Sequence, residues 1–306
     1  MSDAALAAWL DRQTRTHDRS VDLSLERVRA VGAALGLLPW SLPTVIVGGT
    51  NGKGSTASWI GALAQAAGAQ CGLFTSPHLR RYQERIRFDG NEITASELVD
   101  AFVAIDAARA AVPLTFFEWN TLAALWWFRE RRPDLVILEV GLGGRLDATN
   151  VVDADVAVLC SVGLDHCDLL GTTRDAIGRE KAGIFRSDRP AILATDDMPA
   201  SVFDAAARIG ARLWIAGRDY AWSIEPQGSW TFRGTRERLG SLPLPSLPGQ
   251  RQIQNAAAAL AALEALALTG RAGAWFPTAT QAAQALRNLR LEGRLQRVAG
   301  RPEWLL

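Results

Sequence analysis

Residues able to do chemistry cluster in short segments that follow apolar runs. In Val47-Gly48-Gly49-Thr50-Asn51-Gly52-Lys53-Gly54-Ser55, the glycines let backbone N–H groups turn toward phosphate oxygens, Lys53 supplies a mobile cation and Ser55 a hydroxyl for Mg²⁺. Gly54 separates Lys53 from Ser55, so the spacing departs from the common phosphate loop. An ordinary glycine-rich turn is the competing reading; the lysine and the strand–loop–helix context favour ATP. Glu139 closes Leu135-Val136-Ile137-Leu138-Glu139. An acid ending an apolar strand is costly to bury unless paired or metal-bound, and beside a phosphate loop it serves Mg²⁺; alone, it reads equally as a solvated strand end. Gly141-Leu142-Gly143-Gly144 has a superficial dinucleotide pattern, but the third glycine is out of register and no helix follows, so a substrate or metal loop is expected. His166 and the Ser76-Pro77-His78 segment both follow strands. A lone histidine is usually structural, but its place after a parallel strand raises metal ligation, and the Ser76 hydroxyl can face an ion. His17 has no assigned chemistry. By position alone, Lys181 reads as an exposed cation favouring a helix C-terminus.

These residues need strands to hold them. Val45–Val47, Cys71–Phe74, Leu135–Leu138, Val156–Leu159 and Ala191–Leu193 are apolar on both faces, as buried parallel strands are. Helices are expected over 55–67, from the Thr94-x-x-Glu97 capping box to Arg109, and over 118–131, 172–185, 253–268 and 278–289. The alternation implies an α/β fold, a mostly parallel sheet with helices on both faces, which binds ligands at the carboxyl ends of its strands. Trp222, Trp230 and Phe232 around Gln227-Gly228-Ser229 suggest a small antiparallel excursion. The eleven tryptophans read as packing residues.

Lys plus Arg number 33 and Asp plus Glu 32, a net charge of +1; that near-balance argues against a nucleic-acid partner. Hydrophobic residues at 48% provide a sizeable core and exclude disorder. Three cysteines without a C-x-x-C pair argue against a disulfide framework and for the cytoplasm. No signal peptide or membrane span is read, and a monomer is expected.

The ordered motifs Gly49–Ser55, Thr75–Leu79, Glu139–Asn150, Leu164–His166 and Gly178–Ile184 resemble those of the folylpolyglutamate synthase/dihydrofolate synthase family in the Mur ligase superfamily. The resemblance runs from about Trp9 to about Arg297. It implies a P-loop NTPase-like central domain in which Thr50, Asn51, Gly52, Lys53, Gly54, Ser55, Asn255 and Arg294 bind ATP. It places two Mg²⁺ ions on Ser76, Glu139, His166 and a carbamylated Lys181, with Lys53, His166 and Lys181 in the catalytic roles. It assigns a pterin to Asp22, Leu23, Thr115, Phe116, Phe117, Glu118, Leu146, Asp147 and Ala148.

The implied activity is ATP-dependent addition of L-glutamate to dihydropteroate and reduced folates through an acyl phosphate. The alternatives are a folylpolyglutamate synthase only, or a truncated nucleotide-binding fragment without ligase activity. The 306-residue length suggests two domains at ~150 residues each. The motifs instead assign 1–290 to one ATP-binding domain and 291–306 to a linker and the start of a C-terminal Rossmann-like domain that is absent, with Glu303-Trp304-Leu305-Leu306 reading as the opening of another strand. Nucleotide binding with little ligation is therefore expected of these residues.

Overall fold

A computed structural model of the chain describes residues 2–15, 22–247, 249, 251–271, 273, 275–291, 297–298 and 304–305. His17 and Arg294 lie outside these. Strands β1 (Thr44–Gly48), β2 (Cys71–Phe74), β3 (Ile86–Phe88), β4 (Asn91–Glu92), β5 (Leu135–Glu139), β6 (Val156–Leu159), β7 (Pro190–Leu193) and β8 (Arg212–Ile215) form one sheet in the order β4-β3-β2-β5-β1-β6-β7-β8. From β2 to β8 every neighbouring pair is parallel; β3 and β4 are antiparallel additions at one edge.

The expected buried strands are all present, and the period of two explains why they are apolar throughout. Val45, Val47, Leu135, Ile137, Val156 and Val158 enter one core, while Ile46, Val136, Leu138, Ala157 and Leu159 enter the other. The first core packs α3 (Lys53–Ala66), α9 (Arg251–Thr269) and α10 (Ala279–Asn288) on the sheet. The second takes α1 (Ser2–Thr14), α2 (Glu26–Ala34), α4 (Ala95–Arg109) and α5 (Phe116–Arg131), with the short α6 (Cys167–Leu170), α7 (Arg174–Lys181) and α8 (Ala200–Ile209). The antiparallel excursion is a three-stranded sheet of β9 (Ala221–Ile224), β10 (Ser229–Arg233) and β11 (Arg238–Pro243), in which Trp222 pairs with Phe232. β12 (Arg297–Val298) and β13 (Trp304–Leu305) pair antiparallel.

Some boundaries differ from expectation. The helix over 172–185 is shorter: Thr173 caps it, accepting the Ala176 N–H through its hydroxyl, and it gives way after Lys181 to a 3₁₀ turn at Ala182–Ile184. α3 starts at Lys53 and α5 at Phe116, each two residues earlier than the apolar period suggests. No described helix is long and apolar enough to cross a membrane.

Candidate active site

Chain order doubles back around β1, which lies between β5 and β6, so the carboxyl end of β1 sits at the switch point where open α/β sheets bind ligands. The loop 49–52 leaves β1 there and feeds α3. Gly49 has φ +144° and approaches β6 closely: a Cβ would lie 3.0 Å from the Cys160 Cβ and 3.1 Å from the Ser161 nitrogen. Gly52, at φ +89°, caps α3 and leaves only 3.0 Å between such a Cβ and Asn255 Oδ1. The loop is fixed to the next strand's end: Thr50 N–H donates to the Ser161 carbonyl (2.8 Å), Asn51 N–H to Ser161 Oγ (3.0 Å), and Gly163 N–H to Thr50 Oγ1 (2.9 Å). The first N–H groups of α3 have no intrahelical acceptor and form an anion cradle.

Two lysines converge on this loop. Lys53 Nζ donates to the Gly49 (3.0 Å) and Thr50 (3.2 Å) carbonyls, and Lys181 Nζ to the same Gly49 carbonyl (3.1 Å). Lys181 is only 4% exposed, which corrects the positional reading of an exposed helix-end cation. The short α7 ends against the loop, so its last residue points inward. Burial, reinforced by the nearby Lys53 charge, lowers the Lys181 amine to about 8. Glu139, 3% exposed at the end of β5, accepts the Ser76 N–H at 2.9 Å through Oε2.

A cavity of about 490 Å³ gathers Thr50, Asn51, Gly52, Lys53 and Ser55 with Ser76, Glu139, His166 and Asn255. The expected phosphate and metal residues thus share one space, except Gly54, which borders a neighbouring cavity, and Lys181, which reaches the loop through the Gly49 carbonyl. Among the described residues no three His, Cys, Asp or Glu side chains converge to hold a metal. The candidate set instead combines one carboxylate, one imidazole and one hydroxyl. His166 sits at φ +49° before α6 with its side chain 54% exposed, and Gln252, missed in the sequence, contacts Ser55 and Asn255.

A second cavity of about 310 Å³ shares Ser76, Pro77, Gly141 and His166 with the first. Asp22, Leu23, Thr115, Phe117, Glu118, Leu146, Asp147 and Ala148 all line it. Phe116 does not: it turns to Tyr82 (ring centroids 5.9 Å) and lies under the Arg85 guanidinium (5.7 Å). A single residue step along the helix places Phe116 and Phe117 about 100° apart, so only one can face the cavity. Arg27, which does not line the cavity but ties two of its lining residues together, was not legible in the sequence. Its Nη1 donates to Asp22 Oδ2 (2.9 Å) and its Nε to Glu118 (3.1 Å), joining segments 91 residues apart. Thr115 and Glu118 also form the capping box that starts α5. Asp147 receives N–H bonds from Leu142 and Thr149 and the Thr149 hydroxyl; burial nevertheless holds its carboxyl above the usual range.

Residues 47–263 match the family model described as the Mur ligase middle domain. Dihydrofolate synthase/folylpolyglutamate synthase of Escherichia coli (strain K12) is 48% identical over 263 residues, 86% of this chain; the match spans 61% of that relative's length. The structure of E. coli FolC in complex with DHPP and ADP superposes with a TM-score of 0.90 at 44% identity, covering 98% of this chain and 70% of that one. A bifunctional folylpolyglutamate synthase/dihydrofolate synthase with Mn, AMPPNP and L-glutamate bound gives 0.87 at 43%, with 98% and 70% covered.

Proposed function

Because the chain belongs to the Mur ligase family, and within it to the dihydrofolate synthase/folylpolyglutamate synthase group, we propose that it serves ATP-dependent attachment of L-glutamate to dihydropteroate and to reduced folates. The observation that carries this reading is the meeting of the two cavities at Ser76, Pro77, Gly141 and His166. Triphosphate in the first and a ring-bearing carboxylate in the second would place the reacting atoms side by side. The relatives whose structures contain ADP with DHPP, or AMPPNP with Mn and L-glutamate, support the same pairing.

In this reading an acceptor carboxylate oxygen attacks the γ-phosphorus and the bond to ADP breaks. The glutamate nitrogen, having lost a proton, then attacks the acyl carbon and inorganic phosphate leaves. Lys53 lies against the loop carbonyls in this structure, and turned toward a terminal phosphate its charge would offset that of the transferring group. The α3 N-terminus holds the remaining phosphate oxygens. Arg27 fixes Asp22 and Glu118 so that the acceptor ring meets a preorganised polar edge.

Oxygen donors from Ser76 and Glu139 and the His166 imidazole are a donor set suited to Mg²⁺ or Mn²⁺, and we read Mg²⁺ as the working ion, two per site. Such ions supply neutralisation of phosphate charge. Lys181 fits a carbamate role: with its amine lowered to about 8, the unprotonated nitrogen is available to attack CO₂, losing a proton and leaving an anion where a buried cation stood. Residues 1–290 are read as one ATP-binding unit. The three free cysteines agree with a reducing cytoplasm. A monomer is expected by light scattering.

The test is acceptor-dependent ADP release, with dihydropteroate compared against tetrahydrofolate. Lys53→Ala is expected to abolish ADP formation, and normal turnover by that variant overturns the assignment.

A further inference from the structure

A third cavity, of about 760 Å³, opens at the same step: Ser76 and Pro77 line all three, and Glu139 lines this one and the nucleotide cavity. Its character differs from the acceptor cavity. Arg80, Arg81, Arg87 and Arg290 line it, against Glu84, Glu92 and Glu139. Those acids are already engaged. Glu84 accepts the N–H groups of Leu79, Arg80 and Arg81 (2.7, 2.9 and 2.7 Å), Glu92 pairs with Arg81 at 3.0 Å, and Glu139 holds the Ser76 N–H. Arg87 stands opposite Glu92 in the β3–β4 register, but that carboxylate accepts from Arg81 through Oε2 and no hydrogen bond joins it to Arg87 Nε. Its Nε is buried without a hydrogen-bond acceptor. Arg290 donates only to the carbonyls of Arg287 and Leu289 among the described residues. A buried guanidinium N–H without an acceptor is costly, and a planar fork is matched by a carboxylate.

We propose that this cavity receives the α-carboxylates of a γ-linked oligoglutamate tail on the acceptor, with Arg87 as a specificity-determining contact. The proposal rests on the ligase reading above. Each added glutamyl unit lengthens the path between the ring and the terminal carboxylate that must reach the phosphate loop. A ring held in the 310 Å³ cavity leaves the added units to pass through the opening it shares with the basic cavity at Ser76 and Pro77. The basic cavity opens where the terminal carboxylate must arrive and offers the charge the intervening carboxylates need. Free L-glutamate, the amino donor, presents the same α-carboxylate and is the competing source.

Calorimetric titration separates them. Probes are pteroate, pteroylmonoglutamate, pteroyltriglutamate, free γ-linked triglutamate and L-glutamate, titrated into wild type and Arg87→Gln, with Arg290→Gln as a second variant. Expected is tighter binding of pteroyltriglutamate than of the monoglutamate, an advantage that Arg87→Gln reduces about tenfold, the worth of one charge-assisted contact, while pteroate affinity stays unchanged. Free triglutamate should lose affinity in parallel. Equal loss for pteroate and triglutamate, loss confined to L-glutamate, or no loss in either variant overturns the proposal. Failure of wild type to bind ATP and pteroate, with triglutamate still sensitive to Arg87, would instead remove the ligase reading.

Discussion

Two lysines on one carbonyl define the site at the scale of single residues. Lys53 was legible because its neighbours are glycines between a strand and a helix; Lys181 was not legible from position, because nothing local marks whether a helix-end lysine points to solvent or to the sheet. Its burial follows from the short α7 stopping against the loop after β1. This has a pH consequence with a definite sign. Below about 8 the folded-state amine of Lys181 is protonated and has no lone pair for CO₂; above it the neutral amine dominates, at pH values where an ordinary lysine stays charged. With ¹³C-bicarbonate, a carbamate resonance should therefore grow between pH 7 and 9 and be missing in Lys181→Arg. A signal unchanged by that substitution would rule out the assignment. Arg27 teaches a similar lesson, since an arginine in a first helical turn gives no hint that it spans 91 residues to Glu118.

Among the elements, those whose sequence carries a local signal were readable and those held by tertiary context were not. The Thr94–Glu97 capping box marks α4 correctly, and the doubly apolar strands fall where read. β3 and β4, of three and two residues, were not foreseen; they are too short for alternation to show. The same capping pattern at Thr115 and Glu118 was read only as ligand contact, although it starts α5 and fixes which phenylalanine faces the cavity. Thr115→Ala should lower stability by about 1 kcal/mol through the lost cap, seen as a lower urea midpoint, and should weaken acceptor binding while sparing nucleotide binding. Equal weakening of both ligands would show that the cap does not act through the acceptor wall.

For the molecule as a whole, the sheet separates two cores, while the chemistry gathers beyond the carboxyl ends of its strands. The parallel architecture and the location of the site were legible together, because strand–helix alternation dictates both. What the sequence could not show was that three cavities share Ser76 and Pro77, since their walls come from segments far apart in the chain. The position of β1 has a further consequence, in solvent exchange. Flanked by β5 and β6 along its length, it should hold amide protons that leave only with global unfolding, whereas the first turn of α3, a few residues later, has N–H groups without internal acceptors. Deuterium uptake should thus change abruptly between residues 48 and 53 in the free chain, and adding ATP should slow uptake from residue 52 onward while leaving β1 as it was. Slow uptake across the whole stretch before any nucleotide is added would contradict this. A slowly exchanging strand would then be what holds still the loop on which the proposed nucleotide is gripped and released.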